Sequence, residues 1–382
     1  MAQQHLCTPD QLVGAQIEAR EYKNFNLLVK LIGGQSLLVK QERVTSVSKN
    51  RQDLWHEWHI CQFFQSLPDL DSLQSLTSDA ILYDSDRAIL VVRYFDQYRD
   101  LGHFYEDRQH QVFPTAIAAV LGKTLAEIHC TTFDTELYKD FLTRTSYTST
   151  QNRVRVPRFL RGLERIGPGL FSDTSIDAID FWRLYQRYES LHSAMTDIYQ
   201  KFDPCCLTHN DLNLWNILVH NNWDAHSQGN LSEPMVRLID WEFFAWGDPA
   251  YDLGMLLSGY LKIWLKSLVL SRAVPITTAL KLATTPLELL QPSMGALLKT
   301  YIEFFPAILE RHPNFLIRVV QFAGLVLIKK LQGKIEHLSH FDNTCICTLQ
   351  VAKTLVCSPE KSILSVFGAE ATDIVPRASA LV

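Results

Sequence analysis

The stretch from Leu207 to Leu253 constrains this chain more than any other. It reads Leu-Thr-His-Asn-Asp-Leu-Asn-Leu-Trp-Asn-Ile-Leu-Val, then a polar connection, then Val-Arg-Leu-Ile-Asp-Trp-Glu-Phe-Phe-Ala-Trp-Gly-Asp-Pro-Ala-Tyr-Asp-Leu. Asp211 follows His209 on a polar turn, and Asn216 opens an apolar run five positions later. Asp240 closes a second apolar run, Met235 to Ile239. Two short strands joined across the 220–234 loop would bring Asn216 and Asp240 close together, with Asp211 on the loop that leads in.

These groups suit phosphoryl transfer. One carboxylate accepts the proton of an attacking hydroxyl, while an amide oxygen and a second carboxylate hold Mg²⁺ against nucleotide phosphates. The spacing His-x-Asp-x₄-Asn alone arises by chance in about one chain of this size in fifty, so by itself it is only suggestive. Ile-Asp-Trp-Glu at a strand end, with Asp240 twenty-four positions after Asn216, makes coincidence far harder to sustain. The competing reading is an ordinary polar loop whose Asp and Asn residues cap turns.

On these residues the chain resembles the aminoglycoside phosphotransferase and choline kinase superfamily, whose members share the protein-kinase-like fold. The resemblance implies that Asp211 is the catalytic base, that Asn216 and Asp240 are magnesium ligands, and that His209 supports the loop. Gly247-Asp248-Pro249-Ala250-Tyr251-Asp252-Leu253 is similar to the family's G-D-P-x-x-D-L stretch. There Asp252 is implied to be structural, tying the following helix to the catalytic loop. The implied fold class is α+β with two lobes. A small N-terminal antiparallel β-sheet lobe with one helix, residues 1–95, binds nucleotide. A larger, mainly helical C-terminal lobe, 96–368, carries catalysis and the acceptor, with 138–204 as the variable acceptor region. Residues 369–382 read as a loose tail. The implied cofactors are ATP, with GTP left open, and Mg²⁺.

Before this stretch the periodicity from Leu12 to Phe95 is mostly strand-like. Leu27 to Ile32, then Gly33-Gly34, then Ser36 to Lys40 reads as a β-hairpin on a glycine turn. Lys40 ends its run where the family carries the lysine that contacts nucleotide phosphates; a surface lysine at a strand end is the alternative. Arg51 to Leu67 has helical spacing, with Leu54, Trp58, Cys61 and Phe64 to one side. Glu57, mid-helix and seventeen residues after Lys40, lies about where the family places the carboxylate that orients the lysine. No G-x-G-x-x-G precedes Lys40; the nucleotide-covering turn would be Tyr22 to Asn26, with Asn26 as a nucleotide contact. This departs from protein kinases proper but not from relatives with a serine- or asparagine-bearing loop. Ile89 to Phe95 reads as a buried strand running into the hinge, where by resemblance adenine pairs with backbone near Tyr94 and Phe95. Ala116 to Cys130 has helical spacing and resembles the family's L-x-x-L-H helix, with His129 read as a packed helix-end histidine. After Asp252 four helices are expected, Leu253–Ser267, Leu287–Leu309, Asn314–Lys334 and Cys345–Leu355, divided by Pro275, Pro286, Pro292 and Pro313.

Composition narrows the remaining choices. Of 382 residues, 47% are hydrophobic and 20% charged, enough to bury a full core. A net charge of −5 gives no general pull towards nucleic acid or an anionic membrane. The N-terminus lacks the basic and apolar regions of a signal peptide, and the longest apolar run, Val319 to Ile328, is too short for a bilayer. The eight cysteines form no C-x-x-C pair and sit mostly in apolar runs, as buried thiols of a cytoplasmic protein do. Cys345 and Cys347 have no histidine spacing to support a metal.

The acceptor is the least constrained part. Arg144, Arg153, Arg155, Arg158, Arg161 and Arg165 cluster with one acid, Glu164, in an otherwise acidic chain. Such a cluster reads either as a solvated face or as docking for an anionic substrate, acidic peptide or partner, with Arg153, Arg155 and Arg158 as candidates. The expected acceptor is a small-molecule alcohol or amino alcohol, anionic if these arginines serve it. The alternatives are a Ser or Thr hydroxyl of a peptide, and a pseudokinase that binds nucleotide without turnover. Against the last stands the full set Lys40, Asp211, Asn216 and Asp240.

Overall fold

The computed structural model describes residues 6–21, 24–43, 53–66, 71–145, 176–226, 233–271, 273–338 and 341–375. The N-terminal lobe is an antiparallel sheet of β1 (Gln16–Glu21), β2 (Phe25–Lys30), β3 (Ser36–Gln41), β4 (Ala80–Asp84) and β5 (Ile89–Arg93), in the order β1-β2-β3-β5-β4. Gly33 and Gly34 reverse the chain between β2 and β3 with φ of +110° and +89°, a region glycine enters without a Cβ penalty. Alternation then sorts the two faces. Val29, Leu37 and Val91 pack on one side. Leu90 and Val92 pack on the other, against Leu54 and Cys61 of the helix Asp53–Ser66.

Phe25 and Asn26 belong to β2, not to the turn before it, because Phe25 pairs with Glu21 and Gln41 and Asn26 with Arg20 and Lys40. The covering turn is therefore shorter than the sequence suggested. Asn26 lies beside Lys40 on the sheet.

The rest is mainly helical, with small antiparallel ladders at the junction: β6 (Tyr98–Asp100), β8 (Ile217–His220) and β9 (Val236–Leu238) in one, β7 (Cys206–Thr208) and β10 (Ala245–Gly247) in another. The core is built on two close helix pairs. Thr115–Thr132 lies against Leu287–Phe304, where a Cβ on Gly122 would stand 2.2 Å from the Leu297 carbonyl. Pro249–Ser267 lies against Phe315–Leu338, where a Cβ on Gly254 would stand 2.6 Å from that of Phe322. Only glycine allows backbones this near. The Pro249–Ser267 helix starts where Asp248 accepts from Ala250 N at 3.1 Å, with Pro249 in the first turn.

Two expectations are corrected. Pro292 does not divide a helix: Leu287–Phe304 runs through it, and the break falls at Phe305, before Pro306 and Ala307–Arg311. Pro292 forfeits one N–H in the second turn, whereas Pro306 forces the residue before it out of helical geometry. The first part of the expected loose tail is packed: Ala371–Ile374 is a helical turn whose Ile374 is buried in the core. All eight cysteines are free thiols. Among the described residues no helix is long and apolar enough to cross a membrane.

Candidate active site

The loop after β7 and the end of β9 are fastened to each other by backbone. Ile217 pairs with Leu238, and Ile239 N donates to Asn216 O at 3.0 Å, which sets Asn216 beside the residue preceding Asp240. His209 joins the two segments from the other side. Its Nδ1 accepts from Asp211 N at 3.3 Å and its Nε2 donates to Ile239 O at 2.9 Å, a pattern that requires the neutral ring. The ring lies 4.5 Å from that of buried Trp241.

Beneath the loop sits Asp252, wholly buried near the start of its helix. It accepts from His209 N at 2.7 Å, Asn210 N at 2.9 Å and His129 Nε2 at 3.3 Å, while His129 Nδ1 faces the Tyr301 hydroxyl at 2.9 Å. One carboxylate thus ties two consecutive loop N–H groups to two core helices. Asn210 and Asp240 both take the left-handed conformation, with φ of +62° and +66°. That geometry costs a non-glycine residue on the order of 1–2 kcal/mol, least for Asn and Asp, and is held here by the surrounding bonds.

From the N-terminal lobe, Lys40 on β3 reaches the same place. Its Nζ lies 2.7 and 3.0 Å from the Glu57 carboxylate oxygens and 3.0 Å from Asp240 Oδ1. Lys40 and Glu57 are both buried, Glu57 at 1% exposure. The Glu57 helix is seated by Phe64 edge-on to Trp241 at 5.6 Å and by His56 against Phe244 at 5.8 Å, so it packs on the segment that follows Asp240. Burial alone would lower the Lys40 ammonium; Asp240 and Glu57 overcome it and hold the group well above the usual lysine value. For Glu57, burial outweighs the pull of Lys40 and the carboxyl is raised.

Asp211 is held through one oxygen. Asn216 Nδ2 donates to its Oδ2 at 3.1 Å and to its backbone carbonyl at 2.9 Å, and Asn213 Nδ2 reaches the same Oδ2 at 3.4 Å. Oδ1 has no hydrogen bond among the described residues. Burial and the Asp240 carboxylate raise the Asp211 carboxyl, against the pull of His209 and, after it, of Lys329 and Lys330.

Lys40, Glu57, Asp211, Asn216 and Asp240 are therefore brought to one place, with His209 and Asp252 behind the loop. Asn26 is buried beside Lys40, and its Oδ1 has no hydrogen-bond partner among the described residues. Tyr94 and Phe95 follow β5. Tyr94 N donates to Ser36 O at 2.9 Å and Phe95 O accepts from Tyr98 N at 3.0 Å, leaving the Tyr94 carbonyl and Phe95 N–H without a protein partner among the described residues. Their rings are occupied elsewhere, the Arg20 guanidinium lying 5.2 Å from Tyr94 and that of Arg237 4.3 Å from Phe95. Arg153, Arg155, Arg158, Arg161 and Arg165 lie outside the described residues, as does the Arg144 side chain. Two cavities of about 650 and 660 Å³ lie away from Asp211: one among Trp264, Leu268, Leu287 and Val351, the other around Tyr94, Phe95, Tyr98 and Arg237.

Among the described residues no three His, Cys, Asp or Glu side chains converge as a metal site. The neighbouring amide and carboxylate of Asn216 and Asp240 are nonetheless hard oxygen donors of the kind Mg²⁺ takes, since that ion draws the rest of its shell from phosphates and water. Asn216 spends its Nδ2 on Asp211, so its amide oxygen is the atom left for an ion. Lys329 and Lys330 have no place in the sequence expectations, where Val319 to Ile328 figures only as an apolar run too short for a bilayer.

The model of the phosphotransferase enzyme family (APH) matches residues 60–271, more than half of the chain. No curated protein matches it. Among solved structures, a choline/ethanolamine kinase family protein from Mesorhizobium loti is 14% identical and superposes with a TM-score of 0.52, over 93% of this chain and 94% of that one. An amicoumacin kinase in complex with AMP-PNP and Ca²⁺ is 12% identical with a TM-score of 0.51, over 91% and 89%. A choline kinase from Streptococcus pneumoniae is 14% identical with a TM-score of 0.48, over 90% and 93%. At these identities the likeness is one of fold. The chain belongs to the phosphotransferase enzyme family and has its two-lobed, protein-kinase-like architecture.

Proposed function

We propose that this protein is an ATP- and Mg²⁺-dependent phosphotransferase that moves the γ-phosphoryl group to an alcohol hydroxyl of a small molecule. The observation that carries the reading is the continuous set of contacts from Glu57 through Lys40 to Asp240, alongside that from Asn216 to Asp211. Residues 1–95 would serve the nucleotide and 96–368 catalysis and the acceptor, and eight free thiols favour work in the cytoplasm.

The roles follow from the geometry. Glu57 fixes the Lys40 ammonium, whose charge is secured by two carboxylates, to bind nucleotide phosphates. Asn26 lies beside it with an unused acceptor, and the Tyr94 carbonyl and Phe95 N–H are free to pair with the edge of the base. Asn216 and Asp240 would hold Mg²⁺, which when bound neutralises charge on the phosphate oxygens. Asp211 presents Oδ1 to the acceptor while Asn216 and Asn213 restrain Oδ2. Its raised pKa makes it a stronger proton acceptor than a free aspartate. In the transfer, the acceptor oxygen forms its bond to the γ-phosphorus as the bond to the β–γ bridging oxygen breaks. ADP leaves, and the hydroxyl proton passes to Asp211.

The test is ATP consumption over a panel of small alcohols, amino alcohols, sugars, aminoglycosides and Ser/Thr peptides. At least one small alcohol should yield a phosphorylated product and ADP in equal amounts, and Asp211→Asn should abolish both. Product formation at the wild-type rate by Asp211→Asn would overturn the assignment.

A further inference from the structure

Two lysines of the Phe315–Leu338 helix, Lys329 and Lys330, lie within electrostatic reach of Asp211, where a site for cationic acceptors would need acids. A Cβ on Gly259 would stand 3.3 Å from Leu214 Cγ, so this part of the Pro249–Ser267 helix lies against the turn that bears Asn216. Ser258, the residue before it, is buried and its Oγ stands 3.4 Å from Lys330 Nζ. One residue before Asp252, the buried Tyr251 holds Lys329 Nζ at 3.0 Å through its hydroxyl. Both ammonium groups thus rest on the Pro249–Ser267 helix, next in sequence to residues that contact the loop of Asp211, and both act on Asp211.

Among the described residues no carboxylate lies within ion-pair distance of Lys329 or Lys330; the acids near their helix are used by Arg318, which pairs with Asp248, and by Lys334, which pairs with Asp342. Both lysines are half-buried. Lys262 from the facing helix adds a like charge, and burial together with Lys262 and Lys329 brings the Lys330 ammonium down to about 8. Half-buried like charges held together with only hydroxyl partners, and with no carboxylate in ion-pair reach, are costly, and a further anion relieves them.

We propose that the acceptor alcohol carries an anionic group, a phosphate ester or a carboxylate, that seats on Lys329 and Lys330 while its hydroxyl meets Asp211. This rests on the phosphotransferase reading of Asp211. It assigns the acceptor to a different charge class from the cationic amines, which these lysines repel.

The experiment uses glycerol, glycerate, glycerol 3-phosphate and choline as acceptors with ATP and Mg²⁺. In parallel, the same compounds are titrated against the full chain by thermal shift. At least one anionic member should exceed glycerol tenfold or more in kcat/KM and should stabilise the protein where glycerol and choline do not. The arms with glycerate and glycerol 3-phosphate separate carboxylate from phosphate. Lys330→Gln should raise the acceptor KM at least tenfold and Lys330→Arg should restore it. Lys330→Gln should also unfold no earlier than wild type, since it removes an unpaired charge, which a merely structural lysine would not allow. Equal or better use of glycerol or choline overturns the proposal and leaves the kinase reading standing. So does a uniform fall of kcat for all acceptors in Lys330→Gln, which would place the lysine on the transferring group. Anion binding lost in Lys330→Gln with no phosphorylated product from any compound supports the anion site and counts against the kinase reading. No stabilisation by either anion refutes the site whether or not ATP is consumed.

Discussion

Replacing Asp252 with Asn tests how the catalytic loop is held. The carboxylate accepts three hydrogen bonds, two on Oδ2 from His209 N and His129 Nε2 and one on Oδ1 from Asn210 N. An amide has one oxygen. Placed where Oδ2 stands, it keeps His209 and His129 but turns an NH₂ towards the Asn210 N–H; placed the other way, it strands two donors. A hydrogen bond to a charged group is worth about 1.5–3 kcal/mol, and a stranded buried N–H costs about 1–3 kcal/mol. The two overlap, so Asp252→Asn should lose ~3–4 kcal/mol of stability, read from urea unfolding at unchanged m-value. Because Asn210 and His209 directly precede Asp211, turnover should fall at least ~10-fold in the fraction that remains folded. A loss under ~1 kcal/mol with full turnover would refute the claim that this one carboxylate sets the loop.

Lys40→Met leaves the buried Glu57 carboxyl without its cation and should cost about 3–5 kcal/mol at neutral pH, most of it recovered by adding Glu57→Gln; a double-mutant cycle in urea checks this. Asp211→Asn should lower turnover by about 10²–10⁴-fold while raising stability. The sign follows from the raised pKa of Asp211. The folded protein binds that proton more tightly than the unfolded chain, so the wild type loses stability as pH rises from about 4 through the folded value, and the variant does not. Unfolding measured from pH 4 to 8 should show an advantage of the variant that grows and then levels; an advantage falling with pH would contradict the burial argument. Gly254→Ala forces a methyl to 2.6 Å from Phe322 Cβ. It should cost about 1–3 kcal/mol and, by shifting the helix that bears Lys329 and Lys330, raise the acceptor KM more than the ATP KM in steady-state kinetics.

The catalytic loop was legible because its chemistry is local. His209, Asp211, Asn216 and Asp240 fall within two strands and their connections, and strand pairing fixes their approach. Lys40 and Glu57 were legible through the family resemblance, and the sheet and the Asp53–Ser66 helix do place these residues, seventeen apart, in contact. What stayed hidden depends on distant packing. That His129 meets both Asp252 and Tyr301 follows from helices more than a hundred residues apart in sequence. The position of Asn26 turned on where β2 begins, which apolar alternation locates to within a residue or two. Lys329 and Lys330 were masked by position at the end of an apolar run: their contacts with Tyr251 and Ser258 depend on a helix more than seventy residues earlier in the chain. The arginines of 144–165, more conspicuous in sequence, lie outside the described residues, Arg144 by its side chain.

The central claim is that Asn216 and Asp240 carry the metal of a bound nucleotide triphosphate beside Asp211. It is met most directly by a crystal of the protein grown with AMP-PNP and Mn²⁺, with data collected at the manganese edge. An anomalous peak within bonding distance of Asn216 Oδ1 and an Asp240 carboxylate oxygen is expected, with Lys40 on the phosphates. Ordered nucleotide with its manganese elsewhere, or with these two side chains turned away from it, would contradict the claim.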